Sequence, residues 1–287
     1  MPRYAKKRTT YRKRAPVRRK VTRKRRYVKR KTMTAKRVKA ISAIKKRDHM
    51  TTGLRAANTV DGSPVEFVNM RLDGLPRGYV WSPSWMPSRD KPTAYARVAN
   101  RVHHTSFAEK MSVDIPCDVA LNHRRVIFRT GYEDIRTICG RKEVIDGKDA
   151  YDTFRNFTEN PLTDFSYIFQ GTQNIDWWTW LKAPIDRKKV VVMYDKLQVY
   201  APISSNGRQY QKKFYHKLNQ WYDFPDIEAG GDDNRGAPTW WPGIRSQKVF
   251  VLDIFESARD TRDANRYPLG EQYAAVSFDT TNYWTEP

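Results

Sequence analysis

The first 47 residues of this chain hold 23 lysines and arginines and no aspartate or glutamate; the first carboxylate is Asp48. Such a stretch cannot fold alone. Its like charges repel, and it has too few large apolar side chains to offset the entropy of ordering a backbone. The chain therefore divides by charge. The whole sequence carries 54 basic and 31 acidic side chains, a net of +23, while residues 48–287 hold 31 of each. The predicted organisation is a disordered Arg/Lys-rich arm, residues 1–47, followed by an electrically neutral body, residues 48–287. A body of that length is enough for one large domain or two small ones.

A dense cationic segment binds polyanions by releasing their condensed counterions, largely without regard to sequence. The residues expected to do so are Arg3, Lys6, Lys7, Arg8, Arg12, Lys13, Arg14, Arg18, Arg19, Lys20, Arg23, Lys24, Arg25, Arg26, Lys29, Arg30, Lys31, Lys45, Lys46 and Arg47. Tyr4, Tyr11 and Tyr27 are interleaved with them and are suited to stacking on unpaired bases. Clusters such as Lys6-Lys7-Arg8 and Arg23-Lys24-Arg25-Arg26 also have the form of nuclear-import signals. A membrane-surface tail is the rival reading, but membrane binding needs apolar anchors that residues 1–33 do not supply. A tail that only solubilises is the third. Within the arm, Thr34 is placed to cap a short basic helix reaching Lys46, with Val38, Ile41 and Ile44 on one side.

The body has the pattern of strands. Val65–Leu72, Phe107–Ile115, Arg124–Arg129, Val190–Tyr200, Lys212–Leu218, Lys248–Glu256 and Tyr273–Phe278 are rich in β-branched and aromatic residues. KVFVLDIFE (Lys248–Glu256) is apolar nearly throughout, as in a strand covered on both faces. Pro- and Gly-rich stretches such as WSPSWMPSRDKP (Trp81–Pro92) and FPDIEAGGDDNRGAP (Phe224–Pro238) must be loops. Helical candidates are few: Thr93–Arg101 and Lys148–Phe157. Short strands joined by long loops predict an all-β fold, a single jelly-roll β-sandwich with long loops.

Catalytic signatures do not appear. There is no phosphate-cradling glycine motif, no nucleophile elbow and no HExxH. His103 and His104 are adjacent, so on a strand they point to opposite faces. The acidic loop Asp226, Glu228, Asp232 and Asp233 lacks ordered cation-ligand spacing and reads as a solvated turn. Cys117 and Cys139, the only cysteines, make neither a disulfide framework nor a zinc site and read as small buried residues. No cofactor or metal is expected. No uncharged apolar run reaches membrane-spanning length, so no membrane insertion is expected, and a reducing intracellular site of synthesis is the default. Trp177, Trp178, Trp180, Trp240 and Trp241 lie in two short stretches, where indoles pack cores, anchor subunit interfaces or stack on bases.

An Arg-rich arm, a neutral β body and no catalytic set together look like a viral capsid protein. The match sharpens at Lys45-Lys46-Arg47-Asp48-His49-Met50, a KKRDxM stretch that resembles the arm–body junction of genomovirus coat proteins, relatives of the circoviruses and geminiviruses. RRVIFRTGYEDIR (Arg124–Arg136) resembles that family's Arg-led strand. KKFYHKLNQWYDFPDIEAGGDD (Lys212–Asp233) resembles its lysine-aromatic strand and acidic loop, and KVFVLDIFE its penultimate strand. The closing Ala274–Pro287 departs from the pattern. The resemblance implies a jelly roll that assembles into a small icosahedral shell of about 60 copies around a circular single-stranded DNA genome. It also implies host nuclear-import receptors as partners, and a location in the virion and the host nucleus. Two other classes stand beside it. A cellular, non-enzymatic nucleic-acid-binding protein with a basic extension would carry a basic face on its body. An enzyme acting on nucleic acid would need a catalytic cluster.

Overall fold

The computed structural model describes residues 33–54, 63–86, 97–131, 143–145, 148–150, 155–157, 159–203, 206–224, 242–243, 246–258 and 272–287. The fold is all-β, with antiparallel sheets and one short α-helix. Most of the arm, the acidic loop 226–233, Cys139, Trp240 and Trp241 lie outside the described residues.

The helix, α1 (Ala35–Ser42), starts where Thr34 caps it: the Arg37 amide meets the Thr34 carbonyl at 2.8 Å and its hydroxyl at 3.3 Å. It is shorter than the span to Lys46. The chain turns at Ala43 and enters β1 (Ile44–Leu54), so the boundary drawn after Arg47 falls inside a strand. Thirteen further strands follow: β2 (Ser63–Pro64), β3 (Val68–Arg71), β4 (Arg77–Trp81), β5 (Arg101–Ile115), β6 (Ala120–Thr130), β7 (Glu143–Ile145), β8 (Lys148–Ala150), β9 (Arg155–Asn156), β10 (Glu159–Asn160), β11 (Val191–Tyr200), β12 (Arg208–Asp223), β13 (Lys248–Ala258) and β14 (Tyr273–Glu286). Each of the seven segments read as strands overlaps one, and several are parts of longer strands. The two helical candidates do not hold where they are described. Arg101 opens β5, and Lys148–Phe157 contains β8 and β9. Pairing across a sheet outweighs the local helical pattern of those short stretches.

Two sheets form the body. The first runs β12-β5-β14-β1-β2, with β3 on β14 and β9 on β1; the second runs β10-β4-β13-β6-β11. Their facing sides bury Met111, Val113, Ile115, Phe214, Val276 and Phe278 from the first sheet against Tyr79, Leu121, Tyr200 and Phe255 from the second. Met50, Phe107 and Leu218 meet Trp81, Ile127, Val249 and Val251 in the same way.

The opposite face of the second sheet is also covered. A 3₁₀ helix (Leu162–Ile168) and the turns that follow lay Phe165, Ile168, Phe169, Trp177 and Trp180 over Val126, Phe128, Phe250, Leu252 and Ile254. β13 is thus buried on both sides, as its nearly continuous apolar run anticipates. The turn is tight at Gly171, whose φ of +79° suits glycine, and whose Cβ would stand 2.5 Å from an Asp176 carboxylate oxygen. That carboxylate accepts the Thr172 amide at 2.7 Å.

Candidate nucleic-acid interface

Alternation along β1 sorts the basic residues at the arm–body junction. Lys45, Arg47 and His49 point outward and are exposed; Lys46 and Met50 point inward and are buried. Lys46, read from sequence as a phosphate ligand, places its ammonium 3.0 Å from the Glu286 carboxylate, both side chains being nearly inaccessible. Glu286 also accepts the Trp284 indole N–H at 3.0 Å and the backbone amides of Val98 and Ala99 at 3.2 and 3.4 Å. Lys46 is therefore a structural clamp between β1 and the end of β14. Lys45 and Arg47 remain available to an anion.

The two adjacent arginines of β6 separate in the same way. Arg124 faces the cap over the second sheet. It grips Asp195 with Nε and Nη2 at 2.9 and 2.8 Å and donates Nη1 to the Trp180 and Ala183 carbonyls at 2.9 and 2.6 Å. Arg125 points into the sandwich, where it meets Asp253 of β13 and Glu109 of β5. Arg155 of β9 bridges the same two carboxylates at 2.6 and 2.8 Å. His123 donates Nε2 to Asp253 at 2.8 Å, and Thr280 of β14 donates to Glu109 at 2.9 Å. Aromatic faces enclose the cluster. Phe278 lies 3.8 Å from the Arg155 guanidinium, and Phe214 lies 4.2 Å from that of Arg125.

Two carboxylates and two guanidiniums balance. Burial alone would raise both acids, but Arg125 and Arg155 outweigh it, with His123 adding to the effect on Asp253, and hold Glu109 and Asp253 below the usual carboxylate range. Burial pushes His123 down despite its contact with Asp253, so the imidazole is neutral. The cluster has the residue types of an acid–base site and none of the access. Every carboxylate oxygen has a protein partner, and Glu109, Arg125 and Asp253 are inaccessible to solvent. It joins β5 and β14 of one sheet to β6 and β13 of the other, and fixes how the sheets face each other.

Sequence reading missed this cluster. The signal for it was Asp253, an acid set between apolar neighbours in the middle of KVFVLDIFE: a carboxylate in a strand buried on both faces requires a buried cation.

The tryptophans divide. Trp177 and Trp180 are core residues, their rings 4.7 Å apart, with the Trp177 indole N–H donated to the Gln170 carbonyl at 3.0 Å. Neither is free to stack on a base. Trp178 between them is 77% exposed, beside Ile175 at 81%. Leu197 and Val199 on β11 are exposed too, their side of the strand matching Arg124 and Asn122 of β6. This is the reverse of the usual sense of an amphipathic strand: Tyr200 goes inward and the aliphatic side chains outward.

His103 and His104 point to opposite faces, half-exposed and buried respectively, and burial pushes His104 down to about 3. Cys117 is buried and free. Among the described residues no group of His, Cys, Asp and Glu could hold a metal ion, and no helix is long and apolar enough to cross a membrane. Comparison with protein-family models and with curated proteins finds no match to this chain.

Proposed function

We propose that this protein is a viral capsid subunit: a jelly-roll body that assembles into a closed shell, and a basic arm that gathers single-stranded DNA inside it. The observation that carries the reading is the segregation of charge about the start of β1. Residues 1–43 hold 20 lysines and arginines without one acid, and the folded body that follows is close to neutral. A monomeric binding protein with a basic extension would be expected to carry a basic face on its body as well. A shell has a use for that division, because one end of each subunit faces a packaged polyanion while the rest tiles against its copies.

Strand order supports the jelly roll. Counting only the eight principal strands in chain order (β1, β4, β5, β6, β11, β12, β13, β14), one sheet reads first-eighth-third-sixth and the other second-seventh-fourth-fifth. That is the interleaving produced by two nested Greek keys. Exposed apolar side chains support self-association: Ile175 and Trp178, on the turns that cover the second sheet, and Leu197 and Val199 on β11 all leave apolar surface in water. About 60 arms would carry on the order of a thousand positive charges, comparable with the phosphates of a small genome. The reading gives the chain no catalytic role. It places the chain in the virion and, through its basic clusters, in the host nucleus by way of import receptors.

The test is sedimentation of the purified full chain with absorbance at 260 and 280 nm. A fast particle holding nuclease-protected nucleic acid is expected. A slow monomer or dimer across a range of salt and pH would refute the shell and favour a cellular nucleic-acid-binding protein.

A further inference from the structure

The arm is not the only cationic surface. The outer face of the first sheet, made by β12, β5, β14 and β1, presents Lys213 and Lys217 on β12, Lys110 on β5, and Lys45 and Arg47 on β1, all exposed. None of these five is ion-paired among the described residues, whereas Arg101 at the end of the same face is engaged with Asp223 at 3.4 Å. The acids on the face are Asp114, Asp223 and Asp279, so it is cationic even though the body as a whole is neutral.

Two features of this face serve no purpose within one folded chain. Lys213 and Lys110 stand directly opposite each other on neighbouring strands. Like charges so placed cost stability unless an anion lies between them; Asp279 adjoins only the β14 side of Lys110. Tyr215, two residues from both Lys213 and Lys217, is 67% exposed and touches no other ring among the described residues. Across the sheet from it stand small side chains, Ala108 on β5 and then Thr281 on β14. The tyrosine therefore has an open floor beside it. Cations flank it along its own strand at about 7 Å, the same-face spacing of a strand.

We propose that this sheet face is a second binding surface for single-stranded nucleic acid, with Tyr215 stacked on a base and Lys110, Lys213, Lys217 and Arg47 on its phosphates. Cation and aromatic alternating on a rigid platform is the chemistry by which unpaired strands are held without regard to sequence. The surface is continuous with the arm, because Lys45 and Arg47 are the first outward positions of β1. A strand gathered by residues 1–43 is thereby handed to the body. The inference rests on the packaging reading and adds to it a fixed site on the folded domain.

The test measures binding of a thymidine homo-oligonucleotide to the full chain as a function of salt, at concentrations where it sediments as a single copy. Replacing Lys110, Lys213 and Lys217 with glutamine removes three phosphate contacts and should flatten the slope of log affinity against log salt by about 2. Tyr215→Ser should weaken binding by roughly tenfold while Tyr215→Phe retains it, since the ring and not the hydroxyl stacks. All four side chains are exposed, so thermal midpoints no lower than the parent's are expected and serve as the folding control, with a small rise where the Lys110–Lys213 repulsion is relieved. An unaltered slope and affinity in these variants, with binding lost on removal of residues 1–43, would overturn the second surface and leave packaging by the arm intact. Variants that fail to assemble yet bind with the parental slope would make the face a contact between copies, which also overturns it. Failure of the unaltered chain to bind would instead refute the packaging reading.

Discussion

Replacing Arg125 with methionine keeps much of the side chain's length and removes only its charge and its donors. Arg125 makes two contacts to Asp253, at 2.7 and 3.0 Å, and one to Glu109, all inaccessible to solvent. Without it, Arg155 alone faces both carboxylates, and one negative charge is left buried without a counterion. Breaking a buried pair from one side costs about 3–5 kcal/mol. With a urea dependence of about 3 kcal/mol per molar for a body of this size, the unfolding midpoint should fall by about 1–2 M. The assay is equilibrium urea unfolding of the full chain, followed by tryptophan fluorescence in salt high enough to keep nucleic acid away. A pH signature separates this cause from lost packing. The stranded carboxylate takes up a proton more readily folded than unfolded, so the deficit should shrink as pH is lowered from 7. Adding Glu109→Gln restores charge balance around Arg155 and Asp253, and should recover part of the loss. A single variant within about 1 kcal/mol of the parent, or a double variant no better than the sum of the two, would refute the claim that charge balance governs the cluster.

Other consequences are equally direct. Burial holds His104 down near 3 and His216 near 4, and pushes His123 down as well, so all three are neutral when folded and protonate near 6.5 when unfolded. The unfolded chain then binds more protons, and stability falls with pH below about 6.5; His104 alone should cost about 2 kcal/mol by pH 5, and a thermal midpoint that stays flat from pH 7 to 5 would contradict this. Further acid adds to the loss as Glu109 and Asp253 protonate. Deleting residues 1–43 should remove most affinity for single-stranded nucleic acid and leave the thermal midpoint unchanged. Deleting 1–47 should lower the midpoint too, because it strips the pairings of Ile44–Arg47 with Tyr283–Glu286 along with the Lys46–Glu286 contact. Glu286→Gln removes the carboxylate charge that Lys46 meets at 3.0 Å in a buried setting and should cost about 3 kcal/mol in urea unfolding, with little relief from salt. Trp178→Ser, at an exposed position, should leave unfolding within about 0.5 kcal/mol of the parent and reduce the yield of fast-sedimenting particles; normal assembly would remove Trp178 from the subunit interface.

What could be read from the sequence follows a physical division. Strands with strong β-branched and aromatic content, such as Val191–Tyr200 and Lys248–Ala258, announce themselves because their composition alone disfavours other states. β1 did not. Ile44-Lys45-Lys46-Arg47 is chemically a continuation of the arm, and only its pairing with β14, more than two hundred residues away, makes it a strand. The same distance hid the role of Lys46. In sequence it is one more cation in a run of cations, and only the inward side of β1 distinguishes it from Lys45 and Arg47. Arg124 and Arg125 were visible as a pair but not as opposites, since which side of β6 faces which layer is decided by tertiary packing. The candidate nucleic-acid surface on the first sheet was invisible for a related reason. It draws single residues from β12, β5 and β1, none of them conspicuous within its own strand.

The position of β14 has a bearing on the order of events in a cell. The last of the described strands in the chain lies between β5 and β1, and Thr52 exchanges hydrogen bonds with Phe278 across 226 residues. The first sheet has a gap at its centre until that strand is made. Closing it requires the longest-range contacts of the fold, which form late and slowly. The arm, by contrast, precedes the body in the chain, and the binding proposed for it needs no folded sheet. On the proposed packaging role, the chain would hold nucleic acid during synthesis before it had a body able to tile, and a shell could not close on any subunit whose translation was unfinished.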